Sequence, residues 1–233
     1  MKITVLFLLT AISLSSYAQT GDKNHDGMLV TRGIGVSFQQ FEGLNSRITG
    51  LPQYKGLRDY MGTLSLGSMK VHKNFISGIT VTGGSSMSGD RDKKSSALRF
   101  LGGELNLGYD VIPSEKIMLY PLAGIGFEGY QARFYKDNSG VNFNDVLLSG
   151  TVQNGIRPVI FKNSFFTYHV GLGFAVKPPK HTGSIGIQAS YTGSFKDKSW
   201  KSSDNQSLAG APTDNLSRFQ VSLIMNSIPR FMK

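Results

Sequence analysis

From Thr31 to Met225 the chain returns again and again to one arrangement: a large apolar side chain at every second position, with Gly, Ser, Thr or an amide between. A period of two puts the large groups on one face of an extended strand and the small ones on the other. In Ser164–Lys177, Phe166, Tyr168, Val170, Leu172, Phe174 and Val176 share one face, and Thr167, His169, Gly171, Gly173 and Ala175 share the other. Leu101, Leu105, Leu107 and Tyr109 likewise oppose Gly102, Glu104, Asn106 and Gly108. Ile185, Ile187 and Tyr191 oppose Gly186, Gln188 and Thr192, and Phe219, Val221, Leu223 and Met225 oppose Gln220, Ser222 and Asn226. Weaker versions run through Thr31–Gln39, Phe75–Gly84, Leu119–Gln131 and Tyr60–Val71. In the last of these the apolar phase shifts between Leu66 and Met69, which predicts a bulge near Gly67. No helical stripe of useful length follows Gln19.

Eight strands follow, and their connections alternate short and long, with long ones at 40–59, 134–163 and 194–215. An even strand number, tight turns on one side and long loops on the other predict an eight-stranded antiparallel up-and-down transmembrane β-barrel. VLLSGTV and RPVIF inside 134–163 leave room for another hairpin and ten strands, although Arg157-Pro158 disfavours a regular ladder there.

Alternation alone also suits a soluble calyx, in which the apolar face would point inward. Two features favour lipid outside. The small-residue faces carry Glu104, Asn106, Glu128 and Gln188, a set suited to a packed polar lumen. The apolar faces carry no charge at their centres, where a Lys or Arg costs roughly 2–4 kcal/mol in a bilayer. Arg32, Arg99 and Arg133 share the apolar parity only near strand ends, where a long side chain reaches the interface. Phe38, Phe127, Phe166, Tyr168, Tyr191 and Phe219 fall toward one end of their strands and Phe75, Tyr109 and Phe174 toward the other, the spacing of two interfacial belts.

Residues 1–18, MKITVLFLLTAISLSSYA, combine Lys2, an apolar stretch and small residues before a cut after Ala18, which reads as a cleaved secretory signal. Residues 19–30 are expected to be a short periplasmic tail and 31–233 the barrel, placed in the cell outer membrane. The glycine-aromatic alternation of YPLAGIGFEGY (Tyr120–Tyr130) and YHVGLGFAV (Tyr168–Val176), with the signal ending in Ala-Gln, resembles the small outer membrane β-barrel domain proteins of Gram-negative bacteria. The chain departs from the usual barrel ending, closing on Ile228-Pro229-Arg230-Phe231-Met232-Lys233.

Chemistry-bearing constellations are sparse. With no Cys there is no disulfide, thiolate metal site or Cys nucleophile. Of four histidines, His25 falls in the tail, His72 and His181 in predicted periplasmic turns and only His169 inside a strand. No outward loop holds a His, and no His-x-Ser pair occurs, so the histidine-dependent hydrolases found in barrels of this size are disfavoured. Glu104, Glu128 and His169 share the lumen side of three consecutive strands and are expected to form a structural polar cluster. Asp22-Lys-Asn24-His-Asp26-Gly27 matches half of a calcium loop, but Gly33 stands where the bidentate Glu belongs. No catalytic, metal or cofactor residue is therefore assigned.

The net charge of +10 favours anionic partners. Charge gathers in Asp90–Lys94 and Lys196–Lys201, which read as solvated loops or as contacts with lipopolysaccharide phosphates. Nucleic acid is a poor partner for an exported barrel. The expected role is a non-enzymatic, monomeric outer-membrane protein with a structural or surface-interaction task. Its partners are outer-membrane lipid and lipopolysaccharide, with an extracellular partner reached through 40–59, 134–163 and 194–215. A narrow solute channel and a lipid-modifying enzyme are the rivals.

Overall fold

The structure, a computed structural model, describes residues 28–90, 93–112, 114–177 and 183–228. The signal segment, the 22–27 loop, His181 and Phe231 lie outside them. Eight long strands dominate: β1 (Met28–Gln39), β2 (Tyr60–His72), β3 (Phe75–Gly89), β4 (Ser95–Tyr109), β5 (Ile117–Tyr135), β6 (Val159–Val176), β7 (Gly183–Ser194) and β8 (Ser217–Ser227). Each pairs antiparallel with its chain neighbours, and β8 closes on β1, with Ile34 facing both Leu64 and Leu223. Closure satisfies every strand edge, which is what lets a sheet stand in hydrocarbon. The barrel has eight strands, not ten. RPVIF feeds the start of β6, and VLLSGTV contributes to two short helices.

The outer wall is apolar. Leu64, Leu66, Leu101, Leu105, Leu107, Ile125, Val170, Leu172, Ile187 and Leu223 are all exposed on it. The residues between them turn inward, and Ser37, Thr63, Thr167, His169, Thr192, Gln220 and Ser222 are buried. Both aromatic belts are on the wall, with Phe75 and Tyr109 edge to face at 5.3 Å near one end and Tyr168 and Tyr191 6.5 Å apart near the other.

The predicted bulge at Gly67 is absent. The β1–β2 register runs unbroken from Leu66↔Arg32 through Gly67↔Thr31 to Met69↔Leu29. The phase shift has another cause. Met69 and Val71 point into the lumen, where with Ile76, Met118, Tyr120, Leu122, Ala175 and Ile224 they form an apolar layer near the periplasmic end. Apolar residues thus leave the outer face of β2 and enter its inner one without any irregularity in the ladder.

A second apolar layer fills the outward mouth, around Phe41, Leu98, Phe100, Tyr130, Phe134, Phe165 and Trp200. Helix α1 (Glu42–Thr49), within the 40–59 connection, buries Leu44 and Ile48 in it. Helices α2 (Phe143–Leu148) and α3 (Gly150–Ile156) bury nothing. These helices are only 8, 6 and 7 residues long, too short to write a legible stripe.

Small inner residues make room for large ones across the ladder. Gly173 faces Tyr120, and a Cβ on Gly173 would meet the Tyr120 ring. Gly173→Val is expected to destabilise the barrel by about 1–3 kcal/mol through overpacking, read as a lower midpoint for the loss of heat-modifiable gel mobility. An unchanged midpoint would mean that this layer has slack.

Candidate functional site

Between the two apolar layers lies a polar one. The alternation of β4, β5, β6 and β8 turns Glu104, Glu128, His169 and Arg218 into it. Arg218 donates from Nη2 to Glu128 Oε1 at 2.6 Å and to Thr192 Oγ1 at 3.5 Å. The Tyr130 hydroxyl donates to Glu128 Oε2 at 2.7 Å. The Arg218 guanidinium also stacks on Phe100, 4.5 Å from the ring centroid. His169 Nδ1 lies 3.5 Å from Glu104 Oε2, and Asn106 donates to Thr80 Oγ1 at 3.1 Å. Glu128 is thus held by Arg218 and Tyr130, whereas His169 is nearer Glu104.

Arg218 is the residue that sequence reasoning passed over. The signal was there, since Arg218 has the parity of Gln220 and Ser222. It is 3 % exposed and its partner Glu128 4 %. Its Nε and Nη1, and both nitrogens of His169, lack a hydrogen-bond partner among the described residues. Chemically this layer is a network of counter-ions that crosslinks β5 to β7 and β8. A general base needs room for a substrate within hydrogen-bond reach, and the layer is bracketed by apolar side chains above and below. Among the described residues no three His, Asp or Glu groups are placed to hold a metal ion.

The rim is the other candidate region. Asp214 accepts from the backbone amides of Gly43 at 2.7 Å and Leu44 at 2.9 Å, and from Trp200 Nε1 at 2.7 Å. It caps α1 from another loop, because Phe41 at the N-cap position has no side-chain acceptor. Gly43 permits the approach: a Cβ there would run into Thr213 O and the Asp214 carboxylate. Beside this latch a cleft of about 660 Å³ is lined by Glu42, Asp59, Asp197, Tyr191 and others. A second rim cleft, near β3, β4 and β5, is lined by Met87, Lys93, Tyr135 and Lys136 among others.

A closed eight-stranded ladder with an apolar wall, two aromatic belts and a filled lumen is a structure built for a bilayer. The fold is that of the small eight-stranded β-barrels of bacterial outer membranes. No protein-family model and no curated protein matches its sequence. Among solved structures, the barrel is similar to the Neisserial surface protein NspA, at 10% identity and TM-score 0.50, over 87% of this chain and 97% of that one. Ail of Yersinia pestis gives 13% identity and TM-score 0.48 over 86% and 97%, and OprG of Pseudomonas aeruginosa 13% and 0.47 over 87% and 95%. At such identities the likeness concerns the fold alone.

Proposed function

We propose that this barrel is a non-enzymatic, monomeric outer-membrane protein whose work is done at its outer wall and outward loops, as a structural and surface-interaction element. The observation that carries the reading is the filling of the lumen. Apolar side chains close both ends, and Arg218, Glu128 and Tyr130 bond to one another between them. Apolar layers at both ends oppose a continuous aqueous path, and Glu128 is engaged by Arg218 and Tyr130. The outward surface is what remains available. The 136–158 connection presents Phe143 and Leu148 at 74 % and 86 % exposure, which suits contact with a partner outside the cell. The 40–59 connection is mostly committed to the mouth through α1. Outer-membrane lipid and lipopolysaccharide are the partners at the wall.

The test is paired. The folded protein in planar bilayers is expected to give no sustained single-channel conductance. Lipid A from cells with and without the protein is expected to give the same mass spectrum. Steady conductance would make the barrel a channel, and a new lipid A mass would make it an enzyme.

A further inference from the structure

On the outer wall one row crosses from hydrocarbon to charge. Arg99 of β4 pairs with Gln131 of β5, and Gln131 with Lys162 of β6. Neighbouring strands are about 4.8 Å apart, so the three positions stand side by side. All three have the outward parity: Phe100, Tyr130, Ala132 and Asn163 beside them are buried. Arg133, two residues beyond Gln131 on the same face, donates from Nε at 3.0 Å and Nη2 at 2.8 Å to Gln131 Oε1. That chelate draws the Arg133 guanidinium back toward the row and fixes its plane. Lys162 is steadied by a hydrogen bond from Nζ to the Ser203 carbonyl. Among the described residues none of these three cations has a carboxylate within ion-pair distance.

The height of the row is set by what lies below it. Leu101, exposed, is the next outward-facing position under Arg99, about 7 Å along the strand. Phe127 and Phe166, paired across β5 and β6, form the belt one step lower. A molecule lying on this wall therefore meets apolar and aromatic side chains first and an array of cations next, of which Lys162 alone has a carboxylate, Asp204, near enough to feel its charge. That order fits an amphiphile with acyl chains and phosphate at its headgroup. Guanidinium groups pair with phosphate oxygens through paired N–H donors, and the planar fork is strongest when pre-oriented.

We infer that Arg99, Arg133 and Lys162 form a binding site for the phosphates of an outer-leaflet glycolipid, with Gln131 as the positioning residue. This rests on the reading above that the wall meets outer-membrane lipid, and it names the residues and the chemical group.

The full-length protein, folded in phosphatidylcholine vesicles containing bisphosphorylated lipid A, tests it by native mass spectrometry of the retained glycolipid. The Arg99→Gln/Arg133→Gln/Lys162→Gln variant is expected to retain about tenfold less than the wild type. A charge-matched control near the periplasmic end, Lys70→Gln/Lys73→Gln/Lys116→Gln, is expected to retain as much as the wild type. Dephosphorylated lipid A is expected to be held poorly by the wild type. Gln131→Leu removes no charge but releases Arg133, and is expected to lose several-fold on its own, so the site stays testable even if the triple variant does not fold. Inorganic phosphate in excess is expected to leave the lipid in place, because it lacks the chains that lie on Leu101 and Phe127. Equal retention by the triple variant or by the dephosphorylated lipid, or displacement by inorganic phosphate, overturns the assignment. A conducting barrel that still retains glycolipid would remove the functional reading and leave this site standing; a silent barrel whose triple variant holds the lipid would do the reverse.

Discussion

Arg218→Met is expected to destabilise the barrel by about 3–5 kcal/mol, the cost of leaving one member of a buried ion pair without the other. Glu128 would keep only the Tyr130 hydroxyl, at a site where Glu128 is 4 % exposed. Glu128→Leu is expected to be comparably severe, since Arg218 already has Nε and Nη1 without partners and would lose its remaining carboxylate contact. The double variant Arg218→Met/Glu128→Leu is expected to recover much of the loss, because a well-packed apolar pair avoids the desolvation that the ions suffer. The measurement is urea unfolding in detergent micelles, followed through the fluorescence of Trp200, the single tryptophan. Additive losses, or a single-variant loss below about 1 kcal/mol, the range of a solvated pair, would show that the middle layer is wet and loosely held.

The same layer shows what the sequence can and cannot say. Parity was enough to place Glu104, Glu128 and His169 on inner faces of consecutive strands, because a closed sheet keeps its period from end to end. It could not say which groups meet. Partnering depends on stagger around the barrel, and Arg218 is separated from Glu128 by 90 positions. The barrel itself was legible for a simpler reason: the outer wall must be apolar at every second residue, and lipid tolerates few exceptions. The lumen carries a weaker code. It accepts Met69 and Val71 as readily as Thr63 and Ser65, so an apolar plug inside β2 imitates a bulge. Helix α1 was invisible for a third reason. It owes its place to a carboxylate from a remote loop and to a mouth already lined by Phe100, Tyr130 and Phe165, none of which is local in sequence.

That dependence makes Asp214 the other position of large effect. Asp214→Ala is expected to destabilise the folded barrel by about 2–4 kcal/mol, because three donors lose a charged acceptor and two of them, Leu44 N and the Trp200 indole, are buried. Asp214→Asn keeps an acceptor oxygen but loses the charge that complements the helix N-terminus, and is expected to cost about half as much. The two readouts are local. Trp200 emission is expected to shift to the red as the indole leaves a site 1 % exposed. Limited proteolysis is expected to cut within 42–57, where α1 and the residues after it would no longer be seated. Phe41 is the group that couples these events. Its ring sits 5.4 Å from Trp200, 5.0 Å from Tyr130 and 6.0 Å from Phe165, so a helix that slips carries the whole outward layer with it. Conductance is nevertheless expected to stay absent in Asp214→Ala, because Met69, Met118, Tyr120 and Ile224 still close the periplasmic end. An Asp214→Ala protein that keeps the wild-type emission and resists cleavage would mean that packing alone holds α1 in the mouth. One that conducts would mean that the periplasmic layer is no barrier, and that α1 is what keeps the barrel shut.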